Sequence, residues 1–282
     1  MSTPVRSLRP SWRGGMSERR RKRAAPADRG AESGPQGTQK LQKVLADAGL
    51  GSRREMEALV QAGQVSVNGS PARIGTRVGP HDLIKVKGKI VRRSLQQRLP
   101  RVLLYYKPEG EIVSRADPAG RPSVFDRLPP VRGAKWLTIG RLDFNTSGLL
   151  ILTTSGELAN RMMHPRYALE REYAVRVLGH LRAEELARLA AGVRLDDGVA
   201  RCDSIQDAGG EGANHWYHLV IREGRKRVVR RMFAAVGHAV SRLIRVRFGS
   251  VTLPRQLRRG HFLELAPQET RRLLASLELK VS

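Results

Sequence analysis

The stretch Gly140-Arg141-Leu142-Asp143-Phe144-Asn145-Thr146-Ser147-Gly148-Leu149-Leu150-Ile151-Leu152-Thr153 constrains this chain more than any other. It sets a single carboxylate, Asp143, in a glycine-bounded turn between two strand-like runs, 136–139 and 149–153. The apolar run after the turn reads as a buried strand, and a buried strand would hold the turn rigidly. Arg141 stands two residues before the carboxylate. A charged side chain held at a strand end in a strongly basic chain points to chemistry on a polyanion.

The basic character is not confined to a tail. Lys and Arg number 52 against 26 Asp and Glu in 282 residues, a formal charge of +26. The excess is shared among residues 1–37, residues 38–98 and the remainder. A positive field spread over folded segments implies a phosphate-rich partner, with nucleic acid ahead of a membrane surface. The sequence offers no apolar run of 18 residues and no helix that pairs a basic face with a large apolar one. One cysteine, Cys202, excludes an internal disulfide and a cysteine-based zinc site, and the seven His lack metal-ligand spacing. Arg6, Arg9 and Arg13 precede the first acid, Glu18, but Pro4 and Pro10 interrupt any amphipathic helix there, so a cytoplasmic protein is expected. Met16 is an alternative start.

The length suits about two domains. Residues 1–37, with the run Arg19-Arg20-Arg21-Lys22-Arg23, cannot bury enough apolar area to offset ordering and read as a disordered basic tail. From Lys40, the residues Leu41, Val44, Leu45 and Ala48 recur at helical spacing until Gly49 and Gly51. Ser52 with Glu55 three residues on predicts a capping box opening a second helix, with Met56, Leu59 and Val60 inward. Val65 and Val67 alternate before the turn Asn68-Gly69, and 83–86 form another short strand. Lys40, Lys43, Arg53 and Arg54 fall on exposed faces of these helices. Scattered charges are usually only a solvated face; clustered around one helix start and its neighbour, these four favour RNA contact. The segment at 38–89 resembles the S4 RNA-binding domain, on "Leu-Gln-Lys-Val-Leu-Ala-Asp-Ala-Gly-Leu-Gly-Ser-Arg-Arg-Glu" followed by "Val-Ser-Val-Asn-Gly".

Residues 90–100 read as a linker, and a second domain occupies 101–282. Strands are expected at 102–106, 136–139, 149–153, 172–177, 217–221 and 243–248, with helices at 156–163, 183–191, 225–236 and 267–276. Several strands follow one another without a helix between them, so the class is α+β with a mixed, mainly antiparallel sheet.

Four words carry the chemistry: Tyr105-Tyr106-Lys107-Pro108-Glu109-Gly110; the Asp143 turn; His164-Pro165 with Glu170-Arg171-Glu172-Tyr173; and Glu223-Gly224-Arg225-Lys226-Arg227-Val228-Val229-Arg230-Arg231-Met232-Phe233. Together, over residues 40 to about 265, they resemble the pseudouridine synthase family in its ribosomal RsuA/RluB branch, with wording closer to the large-subunit type. The resemblance implies a uridine isomerase acting on ribosomal RNA, large-subunit more than small-subunit. The reaction asks for neither metal nor cofactor, because neither redox chemistry nor phosphate transfer occurs; a monomer is the default expectation, since the sequence does not reveal oligomeric state. The family assigns the catalytic carboxylate to Asp143, attacking the sugar, attacking the base or stabilising a charged sugar. It assigns stacking on the uracil to Tyr173, and to Arg230 the cation that keeps the carboxylate ionised. Arg141 is expected to fill the space left by the flipped nucleotide. Arg225, Lys226, Arg227 and Arg231 are expected at phosphates, with Arg227 on the same helix face as Arg230 or Arg231. Each has a bland alternative: an Asp bonding its own turn, a core tyrosine, a structural ion pair, or a basic helix that only binds RNA. The rival reading for the whole chain is a non-catalytic RNA-binding ribosome-assembly factor, with DNA binding a weaker third. His164, His215, His218 and His238 read as structural or solvent-facing, and the stripe Leu186, Leu189 and Ala190 as core.

Overall fold

The computed structural model describes residues 37–93, 99–131 and 133–279. The expected tail lies outside the described residues except for Gly37, as does the middle of the expected linker, 94–98.

The N-terminal unit comprises β1 (Gln39–Lys40), α1 (Leu41–Asp47), α2 (Arg53–Gln61), β2 (Val65–Val67), β3 (Ser70–Pro71), β4 (Arg77–Val78), β5 (Ile84–Val86) and β6 (Lys89–Ile90). Its second helix starts where local chemistry demands. Glu55 N–H donates to Ser52 Oγ at 3.1 Å, and Ser52 N–H to the Glu55 carboxylate at 2.6 Å, closing the capping box. Asn68 and Gly69 both take positive φ, as a two-residue hairpin between β2 and β3 requires. Leu41, Leu45, Met56, Val60, Val65, Val78 and Ile84 form a core of its own. Ile90, expected in the linker, instead pairs with Lys85 and extends the small sheet.

The second unit contains β7 (Val102–Lys107), β8 (Leu137–Ile139), β9 (Ser147–Thr153), α3 (Gly156–Met163), β10 (Arg171–Leu178), α4 (Ala183–Ala191), β11 (Val193–Leu195), β12 (Gly198–Ala200), β13 (Ser204–Glu211), β14 (Asn214–Ile221), α5 (Val228–Ala235), β15 (Val240–Phe248), β16 (Val251–Thr252), β17 (Phe262–Glu264) and α6 (Pro267–Ser276). The main sheet runs β13-β14-β10-β15-β9-β7-β17, with β8 beside β9 and β16 beside β15. Its pairings are antiparallel except β15 with β9. This is the expected mixed, mainly antiparallel sheet.

Alternation along the strands assigns the cores. Val102, Leu104, Leu149 and Ile151 face α3 and α6. Leu103, Tyr105, Leu150 and Leu152 face the other way, toward Val124, Trp136 and Leu142 of the excursion between β7 and β9. In the other half, Tyr173, Val175, Val177, Tyr217 and Leu219 pack against α4 and α5.

Several elements depart from expectation: the β11–β12 hairpin and β16 are strands the sequence did not announce, and three further departures have clear reasons. Strand β13 is polar and glycine-rich, and it forms because a hairpin lays it along β14. β17 is a short edge strand with no alternation to reveal it. Helix α5 begins at Val228 rather than 225, with Arg227 at φ 51° as its N-cap, so Arg227 does not share a helix face with Arg230 or Arg231. Arg225 is held outside the helix by Glu223, by the Asp197 carboxylate at 2.9 Å and by the Val199 carbonyl at 3.0 Å.

The two halves of the sheet meet through a short parallel contact, Ile244 with Ser147 and Arg245 with Gly148. Gly148 sits at φ 106°, and a Cβ there would lie 2.3 Å from the Arg245 carbonyl oxygen and 2.5 Å from its nitrogen. Strain and overpacking therefore add. Gly148→Ala should lose about 3 kcal/mol or more of unfolding free energy in urea, and an unchanged midpoint would disprove this close approach.

Candidate active site

Asp143 is half-buried in the turn that leads into β9. Thr146 N–H closes the turn on the Asp143 carbonyl at 3.0 Å, and buried Leu142 anchors its first limb in the core. Gly110 N–H, from the Pro-Glu-Gly turn after β7, donates to the Phe144 carbonyl at 3.0 Å. The first two chemistry-bearing words of the sequence are therefore one structural unit.

Two cations brace this unit. Lys107, fully buried at the end of β7, donates its Nζ to the Thr146 carbonyl at 2.9 Å and to the Pro108 carbonyl at 2.7 Å. Arg230, half-buried on α5, donates to the Asn145 carbonyl at 2.7 Å and to the Val240 carbonyl at 2.7 Å. Arg230 thus ties α5 both to the Asp143 turn and to the start of β15. Burial pushes the Arg230 guanidinium below its ordinary range, with Arg227 adding repulsion, while Asp143 and Glu109 pull it back up. Burial likewise pushes the Lys107 ammonium down to about 8, against the attraction of Glu111, Glu109 and Asp143. Asp143 therefore has two positive charges near it, whose hydrogen bonds are spent on the backbone around it.

Tyr173 is buried on β10. It pairs with Arg245 of β15, Arg245 pairs with Gly148 of β9, and Gly148 pairs with Lys107 of β7. One row of the sheet thus runs from Tyr173 to the base of the Asp143 turn. A register shift between Glu172 and Tyr173 marks a bulge beside the row, a common device for re-aiming side chains near a site. Behind Lys107, the Tyr105 hydroxyl donates to Glu111 at 2.7 Å, and burial with that carboxylate pushes the phenol up.

The remaining candidates lie elsewhere. Arg141 is exposed ahead of the turn, and Phe144 next to Asp143 is 41 % exposed. Arg227 and Lys226 are exposed at the start of α5. Arg225 and Arg231 are both bonded to Asp197, so their guanidiniums are occupied within the protein. Lys40, Arg53 and Arg54 are exposed on the N-terminal unit and Lys43 is half-buried there. His215, His218 and His238 bond Asp207, Glu172 and Glu185, while exposed His164 accepts from the Arg166 N–H at 3.3 Å. Among the described residues no group of three or more His, Cys, Asp or Glu could hold a metal ion, and no helix is long and apolar enough to cross a membrane.

Sequence reasoning left two residues without a role. Lys107 was visible in its word, but nothing local says that its ammonium ends on Thr146. Arg245 was hidden in the run Leu243-Ile244-Arg245-Val246-Arg247-Phe248; the available signal was an arginine at a position where strand alternation puts a core side chain.

The comparisons agree with this architecture. Residues 101–235 match the RNA pseudouridylate synthase family and residues 39–84 the S4 domain. The chain belongs to the RNA pseudouridylate synthase family. It is 53% identical over 245 residues to the ribosomal large subunit pseudouridine synthase B of Escherichia coli (strain K12), covering 86% of this chain and 84% of that one. It is also 53% identical over 244 residues to the protein of that name from Pseudomonas aeruginosa, of which the match spans 63%. A crystal structure of a pseudouridylate synthase superposes with a TM-score of 0.58 at 25% identity, over 83% of this chain and 99% of that one.

The buried ammonium gives a pH signature. An unfolded lysine titrates near 10.5, so between pH 8 and 10.5 the unfolded chain binds more protons than the folded one, and this residue's contribution to stability rises with pH. The unfolding free energy of the native chain relative to Lys107→Met should grow by roughly 2–3 kcal/mol across that window. A flat difference in urea titrations would show that Lys107 is not held as described.

Proposed function

We propose that the chain converts a uridine to pseudouridine in ribosomal RNA, that of the large subunit, with Asp143 as the attacking carboxylate. The observation that carries this reading is the Asp143 turn, held by Lys107 and Arg230, at one end of the row that holds Tyr173. In the reaction the bond from C1′ to N1 breaks and one from C1′ to C5 forms; C5 gives up a proton and N1 ends with one. The site must therefore supply a carboxylate that stays ionised, a surface for the detached base and a pocket that excludes water. Asp143 supplies the first, the carboxylate, and Arg230 the neighbouring cation that it attracts. Tyr173 supplies the second as a stacking ring.

The target base has to leave its helix to be reached. Exposed Arg141 suits the space that it vacates, since a planar guanidinium both stacks and bonds phosphate. Lys40, Lys43, Arg53 and Arg54 of the S4 domain, with Arg227 at the start of α5, supply phosphate contacts around the substrate. Arg225 contributes by shaping this border, because its bonds to Glu223 and Asp197 hold the chain ahead of α5. The protein acts as a monomer in the cytoplasm, and the tail of residues 1–37 adds non-specific affinity. Large-subunit RNA is favoured by the names of the relatives at 53% identity.

The rival reading, an RNA-binding assembly factor without catalysis, predicts binding with no product. Ribosomal RNA fragments tritiated at uracil C5 separate the two. The native chain should release tritium, and Asp143→Asn should release it more than about 10³-fold more slowly with RNA affinity unchanged. Equal release from both proteins would remove Asp143 from the mechanism.

Deleting residues 1–98 should raise KM more than it lowers kcat. It should also flatten the dependence of log K on log salt by about one for each phosphate that the shortened chain no longer neutralises. A truncated chain that binds as tightly at physiological salt would leave the S4 domain without an energetic role.

A further inference from the structure

Arg245 heads the fully buried side chains of the described residues by size, at 2% exposure. A buried guanidinium ordinarily finds a carboxylate, because an uncompensated charge away from water is costly. Here the side chain that favours its charge is not an acid but Tyr173, its partner across the β10–β15 ladder. Its Nε donates to the Leu149 carbonyl at 2.8 Å, and its Nη2 has no partner among the described residues. Its backbone is fixed by the Gly148 contact, which admits no Cβ. Its guanidinium lies 5.0 Å from the Phe248 ring, which Arg171 approaches to 4.7 Å, so the packing around it is cationic and aromatic.

We propose that Arg245 is a positioning residue of the uridine isomerisation, acting through Tyr173 by holding the phenol where the uracil is to stack. The inference rests on the reading of the chain as a uridine isomerase. Three features argue against a merely structural arginine. A core position between β9 and β10 would be filled at lower cost by a leucine or methionine of similar reach. The bond from Nε to Leu149 fixes the stem, and beyond it the guanidinium interacts with the Tyr173 side chain. Its Nη2 hydrogen-bonds nothing among the described residues, which leaves part of the fork unspent beside that tyrosine.

The test is a double-mutant cycle on the full chain, reading tritium release from C5-tritiated ribosomal RNA fragments, with Tyr173→Phe and Arg245→Met as the single variants. Arg245→Met alone should lower kcat about 100-fold with little change in KM. In the Tyr173→Phe background, where no hydroxyl remains to be held, the same substitution should cost less than about threefold more. Equal losses in both backgrounds would overturn the proposal, since a structural arginine adds its cost whatever stands at 173. Circular dichroism checks folding. If Arg245→Met does not fold, Arg245→Lys, which keeps the charge and loses the fork, goes through the same cycle; failure of both to fold would assign Arg245 to structure alone. A native chain that releases no tritium would sink the isomerase reading itself, which is a different outcome from a cycle that shows no coupling.

Discussion

The contact on which the site depends is the two-residue parallel ladder between β15 and β9. Ile244 with Ser147 and Arg245 with Gly148 join the half of the sheet that carries Tyr173 to the half that carries the Asp143 turn. Backbone atoms come so close there that only glycine fits at 148. The glycine after Asp143 is therefore more than a turn residue. It lets two strands meet, and that meeting puts tyrosine, arginine and lysine in one row with the carboxylate at its end. Arg230 reinforces the join from outside the sheet by bonding carbonyls on both sides, Asn145 before β9 and Val240 at the start of β15.

Charge is distributed in two ways in this protein. Most arginines and lysines are at the surface, where screening leaves each ion pair little stabilising value. Pairs such as Arg101 with Glu264 or Arg161 with Glu278 belong to that group. A few cations, Lys107, Arg171, Arg230 and Arg245, lose much of their water instead, and burial pulls each of them down from its ordinary range. Their hydrogen bonds go largely to main-chain carbonyls rather than to acids. Backbone acceptors fix a cation in place without neutralising it, which leaves its field available to a carboxylate or a polyanionic substrate.

The N-terminal unit meets the second one at a close backbone approach. A Cβ on Gly49, at the end of α1, would lie 2.9 Å from the Gly133 carbonyl, and beside it Glu55 pairs with Lys135 at 3.7 Å. Asp47 is pushed up by burial there, against Lys43 and Arg53. The basic helices of the S4 domain are thus attached to the excursion that also supports the Asp143 turn through Val124, Trp136 and Leu142.

Much of this was readable from local chemistry. The capping box at Ser52 and Glu55, the Asn68-Gly69 hairpin and helices α3, α4 and α6 each depend on residues within a few positions of one another. The apolar runs of β7 and β9 and the alternation of β10 likewise announced strands, and the four words announced the family. What escaped was non-local. β13 is a strand only because β14 lies beside it. Arg225 left the helix expected for it because Asp197, 28 residues away, holds it. Lys107 had no evident task until its ammonium was seen on Thr146. By itself, then, the sequence determined the elements, the carboxylate turn and the basic character, since backbone preference and side-chain periodicity act over short spans. Only the tertiary structure decided that Arg245 stands opposite Tyr173 on the neighbouring strand and that Arg230 reaches the Asp143 turn, because strand register and burial are properties of segments that meet in space.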